Sequence, residues 1–237
     1  MGGSFSCIDD QVPSIQRLQY DMTPVKSKSL PIIWLVGPPG SGRNTQAKLL
    51  SENLEFSHVK VAELLREESD KDTNRGRMIN EALHHRSKKI PDSIVIDLIK
   101  EEMLRMSLNC KGYLINNFPK NSKQASLFIK EIDDVDAIIY LVCDIPIMVK
   151  RKKVKSEGRL DDETIKKAIA NYMKDIKEGI SKYGSKLEKI RGNEDPNEVY
   201  TKIETAISVR INTRTKITAE SDYAQSQENE STISSFN

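Results

Sequence analysis

The sequence is poor in aromatic residues, which fill 5% of its 237 positions, and it has a single tryptophan, Trp34. No apolar run approaches the roughly 20 residues that cross a bilayer, and the N-terminus lacks the apolar core of a secretory signal. Cysteine is scarce: Cys7, Cys110 and Cys143 lie far apart with no C-x-x-C pair, which suits a reducing cytosol and an intracellular chain. An excess of one charge is also missing. Charged residues reach 30% but the formal net charge is +2, so no global field draws nucleic acid. His84 and His85 are adjacent and cannot form the i, i+4 pair of a helical metal site, so no protein metal site is expected. This length suits one substantial α/β domain with tails.

What is present centres on Leu30 to Leu50, LPIIWLVGPPGSGRNTQAKLL. Ile32 to Val36 is a continuous apolar run, as in a strand buried on both faces; Gly37 to Gly42 breaks it, and Thr45 to Leu50 resumes at helical spacing. Glycines at 37, 40 and 42 let successive N–H groups curl inward, and the following helix aims its positive end at the same spot, which fits a phosphate chain. The pattern is close to G-x-x-x-x-G-K-[ST], with Arg43 in place of the lysine, Asn44 in place of the hydroxyl and Thr45 one place later.

GPPGSGRNTQ resembles the G-x-P-G-S-G-K-G-T-Q loop of adenylate kinases and related nucleoside monophosphate kinases, differing at Pro38, Arg43 and Asn44. VAELLR, residues 61 to 66, resembles the family's T-G-D-L-L-R, and the resemblance implies that Arg66 binds the acceptor phosphate. Residues 87 to 92 resemble the G-x-L-V-P turn, with Ser87 for glycine and Ile90 as the base contact. Gly112 to Lys120, GYLINNFPK, resembles G-[FY]-[LI]-[LI]-D-G-[FY]-P-R; Asn116 replaces the magnesium-shell aspartate and Lys120 a phosphate arginine, while Gln124 keeps the place of the acceptor-base glutamine. Gly158 to Asp162, GRLDD, resembles the end of a short lid, with Arg159 in it and Arg151 near the preceding lid arginine. Ala168 falls where a further phosphate arginine is usual.

The resemblance covers about residues 31 to 209. It implies an α/β P-loop three-layer fold, a central parallel sheet flanked by helices, with a monophosphate-binding arm at about 60–92 and a lid at about 152–162, within a domain 30–210. Residues 1–29 and 211–237 read as disordered tails. The implied ATP site is Gly37, Pro38, Pro39, Gly40, Ser41, Gly42, Arg43, Asn44 and Thr45; the monophosphate site is Arg66, Ile90, Lys120 and Gln124; Arg43, Arg151 and Arg159 serve catalysis. The implied partners are ATP and a nucleoside monophosphate, AMP first, with Mg²⁺ held mainly through ATP and the chain a monomer. The basic run Lys150 to Lys155 taken alone suggests nucleic acid, but the lid motif at its end argues for donor phosphates instead. Four altered phosphate or magnesium positions leave two readings open: a slow kinase, or a nucleotide-binding pseudokinase.

The long stripe Ile165, Ile169, Tyr172, Met173, Ile176, Ile180 and Tyr183 reads as core packing. MGGSFS matches M-G-x-x-x-[ST], which implies acylation of Gly2, with Cys7 as a second acyl site and membrane contact through the N-terminus of an otherwise cytoplasmic protein.

Overall fold

A computed structural model describes residues 17–85 and 88–214. Strand β1 (Ile32–Val36) is its centre, with all five side chains buried, as a strand covered on both faces must be. It pairs in parallel with β3 (Tyr113–Asn116) and β4 (Ala137–Val142), so that Trp34 lies opposite Ile115 on one side and Ile138 on the other. β2 (Ser57–Lys60) adds to β3 and β5 (Leu187–Arg191) to β4, completing the parallel order β2-β3-β1-β4-β5. Parallel neighbours need crossovers rather than hairpins, and helices supply them.

The alternation of β1 divides the core. Ile33 and Leu35, with Leu114 and Ile139, pack against α2 (Arg43–Leu54) through Ala47 and Leu50, and against α9 at 196–214 through Val199, Ile203 and Ile207. Ile32, Trp34 and Val36 face α5 (Asp92–Met106), α6 (Ser122–Glu131) and α8 (Asp162–Ile180) through Ile99, Met103, Phe128 and Ile176. Trp34 meets Phe118, Phe128 and Tyr183 edge-on, with centroids 5.4, 5.3 and 5.6 Å away. The result is a three-layer α/β fold. Outside the layers, α3 (Val61–Ser69) and α4 (Asn74–His84) share a small cluster of Ile79, Ile94 and Leu98 with α5. α7 (Ile145–Lys155) joins the start of α8 through Met148, Val149, Ile165 and Ile169.

Three expectations change. Residues 17–29 are packed along α5: α1 (Thr23–Lys26) places Val25 in the core beside Met22, Arg17 pairs with Asp97 and Glu131, Tyr20 bonds Glu101, and Lys28 donates to the Ser107 carbonyl at 2.6 Å. Two apolar residues are too few for a sequence pattern, and the ion pairs join residues 80 and 114 positions apart. At the other end α9 continues past 210 to 214, where Arg214 Nη1 holds Asp136 at 2.7 and 2.8 Å. Residues 57–60, given no element in the sequence reading, form β2. Met173 is exposed, off the buried stripe of α8. Gly2, Cys7 and Ser87 lie outside the described residues. Among the described residues no helix is long and apolar enough to cross a membrane.

Candidate functional site

The loop leaving β1 reverses at Gly40 and Gly42, whose φ angles of +88° and +95° favour glycine. A Cβ on Gly40 would also lie 2.3 Å from the Met148 carbonyl oxygen, so the loop is tied closely to α7. Gly42 caps α2 without a side-chain acceptor, and the first-turn N–H groups of Arg43, Asn44 and Thr45 have no acceptor among the described residues. They face a cavity of about 420 Å³ lined by Pro38 to Gly40, Gly42 to Thr45, Arg151, Lys152 and Lys155. No carboxylate of the described residues lines it. Four cations and a helix N-terminus make it an anion site. Gly37 and Ser41, expected among the nucleotide contacts, lie beneath the loop. Ser41 is 1% exposed, and a Cβ on Gly37 would meet its hydroxyl at 2.6 Å.

Arg43 folds back on its own loop. Its Nη1 donates to the Gly37 carbonyl and to the Tyr172 hydroxyl at 3.3 Å, its Nε is buried without a partner, and the guanidinium lies 5.7 Å from the Tyr172 ring centre. Burial draws its pKa downward, opposed by Tyr172. The Gly37 N–H donates to the same hydroxyl at 3.0 Å. Tyr172, read from periodicity as core, therefore has its polar end in the site. Its helical spacing identified the buried face but carried no signal for the hydroxyl.

At the end of β3, Asn116 Nδ2 lies 3.2 Å from Asn44 Oδ1 and 3.1 Å from His58 Nε2, donating to both. Asn116 is 8% exposed and its Oδ1 has no partner. A neutral acceptor there suits a metal-bound water better than the ion itself. Among the described residues no three His, Cys, Asp or Glu side chains come together to hold a metal. His58 was not singled out from sequence; burial, then Lys60, push its pKa down to about 4. Its unfolded value is about 6.5, so its contribution to stability is complete above 6.5 and is lost as pH falls toward 4, at most about 3 kcal/mol. Melting curves between pH 7 and 4 should show that slope, and His58→Gln should flatten it; an unchanged slope would assign the acid sensitivity elsewhere.

A cavity of about 700 Å³ in front of this strand end is lined by Arg43, Asn44, His58, Arg66, Asn116 and Asn117 among others. The Arg66 side chain makes no hydrogen bond or ion pair among the described residues. A neighbouring cavity of about 730 Å³ is lined by Leu65, Ile90, Pro91, Lys120, Gln124 and surrounding residues. Gln124 Oε1 accepts from the Lys120 N–H and its Nε2 donates to Asp92, both at 2.9 Å, so its amide is already oriented. Lys120 Nζ donates to Asn117 at 2.7 Å and lies 5.1 Å from the Tyr172 ring centre. The residue is exposed overall, but its ammonium is enclosed over that ring, and burial followed by repulsion from Arg43 lowers its pKa to about 8.

The two arginines expected in a lid diverge. Arg151 Nη1 donates to the Gly192 carbonyl at 2.6 Å while lining the loop cavity. The Arg159 side chain is 75% exposed, bonded only to Ser156 and Glu157 of its own turn, and lines none of these cavities. Lys152 and Lys155, not chosen from sequence, take its place at the loop.

Comparison with known proteins accords with the three-layer fold. The family model described as "Adenylate kinase" matches residues 35–188. The chain is 30% identical over 186 residues to adenylate kinase isoenzyme 1 of Caenorhabditis elegans, covering 76% of this chain and 88% of that protein. It is 32% identical over 188 residues to isoenzyme 1 of Cyprinus carpio, covering 77% and 96%. Against isoenzyme 5 of Bos taurus the identity is 32% over 186 residues, and the chain spans about a third of that relative's length, 33%, through 76% of its own.

Proposed function

We propose a function from the premise that the chain belongs to the adenylate kinase family: it transfers the γ-phosphoryl group of ATP to a nucleoside monophosphate, AMP first, and does so slowly. One observation carries this reading. A carboxylate-free cationic loop cavity and an acceptor-side cavity approach each other at Arg43 and Lys120, which converge on one tyrosine ring.

Phosphoryl transfer demands positioning and neutralised charge more than covalent help. The loop N–H groups with Lys152 and Lys155 would hold the donor phosphates. Arg66 would take the acceptor phosphate, and Ile90 and Gln124 its base. The acceptor phosphate oxygen is already anionic and needs no general base. Mg²⁺ arriving with ATP would neutralise the donor oxygens, with Thr45 and Asn116 facing its water shell. Slowness follows from Arg43, whose Nη1 is engaged with protein groups so that the fork meets a ligand in one fixed direction, and from a strand end without a negative charge. That same orientation of Arg43 favours a second reading, a nucleotide-binding module that closes on ligand without turnover.

A coupled assay with Mg-ATP and adenosine, cytidine or uridine monophosphate, run beside thermal melts, tests both. Turnover with AMP below about 1 s⁻¹, together with stabilisation by ATP, is expected. Absence of stabilisation at saturating ATP would remove the phosphate-site reading altogether.

A further inference from the structure

We infer that Tyr172 is a positioning residue that gathers Arg43 and Lys120 at the junction of the donor and acceptor cavities, an inference that rests on the phosphotransfer reading above. Its hydroxyl takes two donors, the Gly37 N–H at 3.0 Å and Arg43 Nη1 at 3.3 Å. Its ring lies 5.7 Å from the Arg43 guanidinium and 5.1 Å from the Lys120 ammonium. One side chain of α8 thereby contacts the first residue of α2 and the turn after β3. Ala168, one turn earlier on the same helix, is exposed and brings no cation to this face. Like charges repel, so Arg43 and Lys120 would separate without a shared partner; an electron-rich ring and a hydroxyl are neutral groups that attract both.

The arrangement also explains why a tyrosine suits this place better than phenylalanine or leucine. The ring alone would hold Lys120 and still face Arg43, but would leave Arg43 hydrogen-bonded to the Gly37 carbonyl only. An aliphatic side chain would hold neither. The groups facing the Lys120 ammonium are Arg43 of α2, Tyr172 and Asp175 of α8, and the Asn117 amide. Burial, then Arg43, lowers its pKa, and Asp175 opposes them.

Tyr172→Phe and Tyr172→Leu test the role, each with three readouts: steady-state kinetics, the titration of Lys120 followed by NMR of methylated lysines, and ATP-induced stabilisation. Tyr172→Phe should lower kcat about 10-fold and Tyr172→Leu about 100-fold, each with both KM values within about threefold, because aim rather than ground-state binding is lost. Lys120 should titrate near 8 in wild type and Tyr172→Phe, and move toward the ordinary value of about 10.4 in Tyr172→Leu. Unchanged kcat in Tyr172→Leu, or a Lys120 titration that does not move in it, overturns the inference, as does a KM rise that accounts for the whole effect. If the wild-type protein transfers no phosphoryl group, the functional reading fails, while the Lys120 titration still decides whether Tyr172 holds that cation.

Discussion

The double substitution Arg43→Lys with Asn116→Asp should raise turnover by at least about 100-fold while changing ATP affinity by less than about threefold. In the wild-type loop Arg43 Nη1 is held by the Gly37 carbonyl and the Tyr172 hydroxyl. A planar fork anchored through Nη1 presents only its remaining nitrogens to a transferring group, in the one direction that those bonds fix, whereas a lysine ammonium is compact and rotates freely on its stem. At the strand end the amide is held between Asn44 and His58 and offers one neutral oxygen. A carboxylate there would add the missing negative charge beside a metal-bound water, and would also draw the His58 pKa upward from about 4. That upward shift gives an internal check that the new side chain has the intended neighbours. Both changes act where charge develops, so they alter kcat before they alter binding. The single variants complete the cycle and should be non-additive, since the two positions are joined through Asn44 and the first turn of α2. A wild-type rate already in the usual range of about 1 to 100 s⁻¹ would show that the substitutions are tolerated. No activity in either protein, with ATP bound by both, would favour the binding module.

The strand, loop and helix at 32–54 could be read from sequence because burial on both faces leaves an unbroken apolar run and the turn needs glycine at fixed places. Trp34 and Gly40 each had one role available. β2 could not be read this way: it is a four-residue edge strand whose alternation shows one buried apolar side chain, Val59, and its pairing with β3 is a backbone matter. Arg43 was identifiable as a residue of the phosphate loop but not as one turned inward, because its rotamer depends on a tyrosine 129 positions away. His58 left no trace for a similar reason. It becomes distinctive only when folding places it against Asn116 and removes water from it. The segment 17–29 was hidden because charge complementarity across 80 residues has no period.

Asp97→Ala should cost about 3 to 5 kcal/mol of stability, the range for breaking a buried ion pair, and lower the melting temperature by about 10 °C for a domain of this size. Asp97 is 2% exposed; Arg17 grips it at 2.5 and 3.0 Å, and Lys100, itself 6% exposed, lies 3.6 Å away. Removing the carboxylate leaves two cations with Glu131 as their one remaining acid partner among the described residues, at 2.8 and 2.5 Å. Arg17→Ala should cost less, because the lost cation is the most exposed member and Lys100 still answers both acids. It should, however, change the acid response. Arg17, ahead of Lys100, holds the Glu131 pKa at about 2, against burial. A depressed carboxylate stabilises the fold above its unfolded value of about 4.3 and loses that contribution as pH falls toward 2. Arg17→Ala should therefore shrink the loss of stability between pH 4.3 and 2 as well as the stability itself. Urea titrations at pH 7, 4 and 2.5 would measure both, and a cost below about 1 kcal/mol for Asp97→Ala would mean that Glu131 and water replace it. One turn along α5, Glu101 pairs with Arg75, which also holds Glu68 of α3. That pair stays intact in Asp97→Ala, so turnover per folded molecule should stay the same while the fold weakens.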